Sequence, residues 1–168
     1  MTLNTSIHEN ILINILKDIF LNKDLFLLLG FKGGTAAKLF YNLDRFSVDL
    51  DFDLLDEEKK DYVFESIMDI LKKYGEVKDV EKKHFTLFFL LSYFDKANKA
   101  QNVKIEINTR DFGSKYETMT YLGIPMKVMT KEDMLAHKLV AMYERIEKTS
   151  RDIYDVRFFL EKGYAINT

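Results

Sequence analysis

From Val48 to Leu54 the chain alternates apolar and acidic residues without a break, as Val-Asp-Leu-Asp-Phe-Asp-Leu. A period of two is the signature of a strand, because successive side chains of an extended backbone leave on opposite faces. Val48, Leu50, Phe52 and Leu54 thus share a core face, and Asp49, Asp51 and Asp53 share the other. Same-face neighbours on a strand stand about 7 Å apart at the backbone. Carboxylates at that spacing repel, and each raises its neighbour's pKa unless a cation or a set of donors offsets them. Aspartate is also a poor strand former. A pattern this costly points to function. Asp49 and Asp51 are expected to converge on one or two metal ions. Asp53 lies near the strand end, about 13 Å from Asp49. It reads instead as a solvated acid that discourages edge pairing.

The donor chemistry narrows the metal. A calcium loop started at Asp49 would need glycine at its sixth position and glutamate at its twelfth. Leu54 and Lys60 stand there, which excludes that loop. Carboxylate oxygens with no histidine nearby suit Mg²⁺, or Mn²⁺, better than zinc. Magnesium held by one or two carboxylates usually completes its shell with substrate phosphates.

Two further features fit a phosphate-bearing substrate. Gly33-Gly34-Thr35 falls where an apolar run gives way to a helical pattern, so backbone N–H groups and the helix dipole would favour an anion there. Neither the P-loop pattern nor G-x-G-x-x-G is present. In Val103–Asn108 the apolar Val103, Ile105 and Ile107 alternate with Lys104, Glu106 and Asn108. If that strand neighbours the aspartate strand, Glu106 supplies a third carboxylate, able to complete a two-metal arrangement or to deprotonate an attacking hydroxyl.

The remaining pattern describes one mixed domain. The chain has 168 residues, enough for a sizeable core. A net charge of −2 gives no basic field of the kind that signals nucleic-acid binding, although a local patch stays open. The absence of cysteine removes disulfides, thiolate metal sites and a thiol nucleophile. No run approaches a membrane span, so a soluble cytoplasmic protein is expected.

Helical spacing covers Ile7–Phe20, Thr35–Leu43 and Glu57–Tyr74. Strands are expected at Leu25–Phe31, Val48–Leu54, His84–Phe94, Val103–Asn108 and Tyr121–Val128, with a polar turn over Asp95–Asn102. Capping signals at Thr130 and at Thr149-Ser150 open two last helices, to about Arg145 and Gly163. The fold class is α+β, a mixed central sheet flanked by helices. It divides into a core at 1–129, carrying the N-terminal helix, and a helical segment at 130–168.

On the first of those last helices Lys138 and Arg145 share a face with Ala141, while Leu135, Leu139 and Met142 form the buried side. Two cations beside a small residue suit a triphosphate or an acceptor backbone. Arg151 and Asp155, four residues apart, read as a brace for the last helix. His84 and His137 read as structural, and Phe85–Phe94 as core rather than a base-stacking platform.

In this order the motifs resemble the AbiEii/AbiGii toxin family of the polymerase-beta-like nucleotidyltransferase superfamily, over roughly Phe31 to Leu160. The first motif corresponds to Gly33, Gly34, Thr35, Arg45, Ser47, Asp49 and Asp51. The second is Lys104–Ile107, the third Asp133–Arg145 with Lys138 and Arg145, and the fourth Arg151–Leu160 with Arg151, Asp152 and Asp155. The resemblance implies transfer of a nucleoside monophosphate from an NTP to RNA (a tRNA) or a protein, with an antitoxin as partner. It implies catalytic Asp49, Asp51, Glu106 and Lys138, the three acids being metal ligands. Lys32, Gly33, Gly34, Thr35, Arg45, Ser47, Lys138, Arg145, Asp152 and Asp155 would bind the nucleotide. Two competing readings are a metal-dependent nuclease, which needs similar carboxylates, and a non-catalytic nucleotide-binding or protein-interaction module.

Overall fold

The computed structural model describes residues 5–94, 99–145 and 150–167. Parts of the expected 95–102 turn and of the Thr149-Ser150 cap lie outside the described residues. Helix α1 (Thr5–Leu21) leads into a short helix α2 (Lys23–Leu28) and strand β1 (Leu29–Lys32). Helix α3 (Gly33–Tyr41) is followed by β2 (Asp49–Leu54), a 3₁₀ turn (Glu57–Lys59) and α4 (Lys60–Leu71). Strands β3 (Glu76–Lys82), β4 (Thr86–Phe94), β5 (Ala100–Asn108), β6 (Tyr116–Tyr121) and β7 (Ile124–Met129) precede α5 (Lys131–Glu144) and α6 (Ser150–Glu161).

The described strands form one mixed sheet in the order β3-β4-β5-β2-β1-β7-β6. The acidic strand β2 is therefore central. It runs parallel to β5 and antiparallel to β1, which in turn runs parallel to β7. Its apolar face carries Leu50 and Phe52, both fully buried. Phe52 packs against Phe31 and against Phe20 of α1, with ring centroids 5.3 and 6.2 Å away. The amphipathic α4 buries Val63, Ile67, Ile70 and Leu71, whereas Phe64 stays half-buried over Phe89. Together these side chains form one continuous core that leaves the opposite face of β2 to polar groups.

Three expectations need correction. Leu25–Leu28 is helical rather than extended, because the Asn22 side chain caps a new helix by accepting from the backbone N–H groups of Asp24 and Leu25. Only Leu29–Lys32 is strand. The expected strand Tyr121–Val128 is a hairpin, β6 turning into β7 at Leu122-Gly123, both with positive φ. Strand β3 was absent from the pattern reading, since its charged sequence shows little alternation. It forms the outer edge of the sheet, where charge is tolerated.

Candidate active site

The parallel register of β2 and β5 sets Asp49 opposite Lys104, Asp51 opposite Glu106 and Asp53 opposite Asn108. The two predicted acidic strands are thus neighbours, and Glu106 stands beside Asp51. Asp49, Asp51, Lys104, Glu106 and Asn108 form the floor of a cleft of about 600 Å³. Its walls come from the start of α3, the loop through Arg45 and Ser47, helix α5 (Lys138, Ala141, Arg145) and the start of α6 (Arg151, Asp152).

Asp51 is the most perturbed of the acids. Burial pushes its carboxyl up to about 6; Lys104 opposes that rise, and the neighbouring Asp49 and Glu106 add to it. Gly33 makes room for it. That residue has φ +82°, and a Cβ there would collide with the Asp51 carboxylate. Gly34 is equally constrained, because a Cβ would come within 2.8 Å of both Arg45 Nη2 and Ser47 Oγ. The glycine pair therefore lets the N-terminus of α3 approach the acids. No side chain caps that helix end, which leaves its N–H groups to the cleft.

Lys104 reaches across the floor. Its Nζ lies 2.9 Å from Glu106 Oε2 and 3.5 Å from Asp49 Oδ2. Burial would lower the Lys104 pKa, but Glu106, Asp49 and Asp51 outweigh it and hold the ammonium above its usual value. Sequence reasoning noted Lys104 on the polar face without giving it a role. The signal was its position two residues before Glu106 on that face.

Asp53 departs from expectation. It is 4% exposed and lies on a central strand, so it is neither solvated nor at an edge. Its carboxylate accepts from Lys32 Nζ at 2.6 Å, Asn108 Nδ2 at 2.8 Å and the Tyr116 hydroxyl at 2.5 Å. Lys32, expected at the phosphates, lines the cleft but is anchored to this buried acid.

The helical motifs form a second buried hub. Asp155, fully buried, accepts a forked pair of hydrogen bonds from Arg45 Nε (2.5 Å) and Nη2 (2.6 Å) and an ion pair from Lys138 Nζ (2.6 Å). Burial alone would raise the Asp155 carboxyl, but Arg45 and Lys138 hold it below the usual carboxylate range. Asp155 thus joins α6 to α5 and to the loop after α3. Arg145 Nη2 reaches Asp152 Oδ1 at 3.0 Å, while Asp152 Oδ2 is buried without a partner.

Of the expected site residues, Lys32, Gly33, Gly34, Arg45, Ser47, Asp49, Asp51, Glu106, Lys138, Arg145 and Asp152 line this one cleft. Thr35 and Asp155 stand behind its wall. The Thr35 hydroxyl is 2.5 Å from the Asp49 carbonyl and 2.9 Å from Ser47 Oγ, so it ties the helix to the acidic strand. His137, read as structural, also lines the cleft and lies 2.8 Å from Ser114 Oγ through Nε2. His8, which sequence reasoning passed over, is buried between the Tyr93 hydroxyl and the Val48 carbonyl at the root of β2.

Asp49 and Asp51 present hard oxygen donors to the cleft, as a divalent cation of the Mg²⁺ class requires. Among the described residues no three acids or histidines converge into a ready-made cage. A carboxylate pair that leaves positions for phosphate oxygens fits the cleft better. Among the described residues no helix is long and apolar enough to cross a membrane.

The family model for the nucleotidyl transferase AbiEii toxin, of type IV toxin–antitoxin systems, matches residues 14–168. No curated protein matches the chain. Among solved structures, a putative nucleotidyltransferase from Helicobacter pylori is 27% identical with a TM-score of 0.73, over 98% of this chain and 71% of that one. JHP933 from H. pylori is 25% identical with a TM-score of 0.70, over 98% of this chain and 68% of its own. MenT4, a nucleotidyltransferase toxin from Mycobacterium tuberculosis, shares the fold at 20% identity and TM-score 0.68, with 97% of this chain covering 60% of its length.

Proposed function

The chain belongs to the AbiEii family of nucleotidyltransferase toxins, and from that membership we propose that it transfers a nucleoside monophosphate from an NTP to an acceptor hydroxyl in a metal-dependent reaction. The observation that carries this reading is the parallel β2–β5 register, with Glu106 beside Asp51 and the Gly33-Gly34 turn against the same carboxylate. Asp49 and Asp51 would hold the metal, with Glu106 beside them as the register partner of Asp51. A bound Mg²⁺ or Mn²⁺ would polarise the α-phosphoryl oxygen and offset the charge of the triphosphate.

The chain's own groups do the rest. The open N-terminus of α3 and the Ser47 hydroxyl bind phosphate oxygens, while Lys32 and Arg145 offset their charge. Lys138 and Arg45 act from Asp155, whose carboxylate keeps both cations at fixed points of the wall. Glu106 takes the proton of the acceptor hydroxyl. The acceptor oxygen bonds to the α-phosphorus as the bond to the β-phosphate bridging oxygen breaks, and pyrophosphate leaves. The acceptor is an RNA, foremost a tRNA, or a protein. Family membership supports an antitoxin as the controlling partner, and the protein works in the cytoplasm.

The test is incubation of the protein with Mg²⁺, each labelled NTP and total RNA or lysate. Transfer of label from at least one NTP, lost in Asp51→Ala, is the expected result. No transfer with any of the four, or undiminished transfer by the variant, overturns the proposal. RNA shortening without labelling identifies a nuclease instead.

A further inference from the structure

We propose that Lys104 is a resident cation of the acid floor: its ammonium bridges Asp49 and Glu106 in the metal-free protein and must withdraw before Asp49 can take a divalent ion with Asp51 and before Glu106 is free to accept a proton. The inference rests on the metal reading of the site given above and adds a competitor to it.

The geometry is specific. In the parallel register Lys104 lies directly opposite Asp49, and Asp51 directly opposite Glu106, so positive and negative groups share one small square of sheet surface. The ammonium contacts both acids of the diagonal, Glu106 at 2.9 Å and Asp49 at 3.5 Å. It lies against the Asp49 oxygen that a divalent ion would need, and against Glu106 on the other side. An oxygen bound to this ammonium has fewer lone pairs for a metal.

Exposure separates this contact from the structural ion pairs nearby. The side chains of Lys104, Asp49 and Glu106 are 35%, 29% and 39% exposed, whereas Asp155 is fully buried and Lys138 only 13% exposed. An ion pair about one third exposed is weaker and can be displaced by a divalent ion. A fully buried one resists, because it would leave a bare charge behind. Lysine suits the part, with a compact charge on a four-carbon stem. Once released, its ammonium can swing onto the phosphates that arrive with the metal. No covalent bond changes in this exchange.

Mn²⁺ binding to the full chain, without nucleotide, tests the idea by calorimetry and by electron paramagnetic resonance. Lys104→Met, which keeps the stem and removes the charge, should bind Mn²⁺ about fivefold tighter or more than wild type. Lys104→Arg, which keeps the charge, should not. Lys83→Ala removes an exposed lysine whose field also reaches Glu106. It should change affinity less than about twofold.

A second measurement separates physical occupation from a mere field effect. Brief acetylation, read by mass spectrometry, should label Lys104 several-fold faster when Mn²⁺ is added, with Lys83 unchanged. Equal or weaker Mn²⁺ binding by Lys104→Met, or Lys104 labelling that stays flat while Mn²⁺ binds, overturns the proposal. If neither wild type nor Lys104→Met binds Mn²⁺, alone or with a non-hydrolysable NTP, the metal reading itself falls and takes this inference with it.

Discussion

Asp51 and Asp53 are two residues apart on one strand and point to the same face, yet the protein treats them in opposite ways. Asp53 is enclosed by three donors, Lys32, Asn108 and Tyr116, so its charge is matched within the fold. Asp51 shares its surroundings with two other acids, and its carboxyl rises to about 6. A second closed acid, Asp155, is matched by Arg45 and Lys138. One chemical group thus serves as a rivet or lies open on an acidic cleft floor according to how many donors meet it. Closed acids give stability, and the open one costs it.

Stability measurements can break that contrast, and the largest effect belongs to Asp155. Asp155→Ala leaves Arg45 and Lys138 facing each other without their shared anion, which should cost about 3–5 kcal/mol. The same acid makes the fold acid-sensitive. Its folded pKa is depressed, so its contribution is complete above the unfolded carboxylate value of about 3.9 and fades as pH falls through the lower folded value. Urea unfolding between pH 3 and 7 reads both effects, and an Asp155→Ala protein as stable as wild type would end the rivet reading.

Asp53→Asn comes next. It keeps a carbonyl acceptor but takes the anion away from Lys32, for an expected loss of about 2–3 kcal/mol. A surface acid of the kind the sequence suggested would give a change near zero, so the same urea titration decides between the two.

Asp51→Asn should move the other way. It removes a charge that folding buries at a cost, so at pH 7 the variant should be more stable by on the order of 1–3 kcal/mol while nucleotide transfer falls about 10³-fold or more. The sign reverses the acid trend of Asp155. Because the folded pKa of Asp51 is raised to about 6, wild type loses stability as pH climbs from about 4 to 6. The advantage of Asn is therefore full above that window and gone below it. Thermal melts of both proteins across pH 4–7 check this, and a constant gap would show that Asp51 does not titrate as its burial implies.

Much of this contrast was legible in the sequence, for reasons that are local. Strict alternation gave β2 and β5 their faces, and with them the shared side of Asp49, Asp51, Lys104 and Glu106. The glycine pair marked the strand-to-helix turn that brings α3 to Asp51. Long-range partners were illegible. Nothing near Asp53 announces that Tyr116, 63 positions later, will close over it, nor does Arg45 announce a partner 110 positions on. Sheet order decides such pairings, and β2 proved central where an edge had been imagined for Asp53. Short-range capping misled in the other direction, since Asn22 turned the apolar Leu25–Leu28 into a helix.

The finest version of the comparison removes one donor from the closed acid and leaves the open one untouched. Tyr116 donates to Asp53 from β6, and its ring lies so close over Gly30 that a Cβ there would collide with it. Tyr116→Phe keeps that ring and deletes only the hydroxyl. Lys32 and Asn108 still hold the carboxylate, so the expected loss is about 1 kcal/mol, the usual net worth of one hydrogen bond. Turnover should stay within about twofold, because the hydroxyl meets Asp53 rather than the acids of the floor, and an undisturbed Lys32 keeps its place. A melt and a transfer assay on the same preparation check the pair of outcomes. A large loss of turnover with little loss of stability would mean that Asp53 serves the proposed site as well, and that β2 brings three aspartates to it rather than two and a rivet.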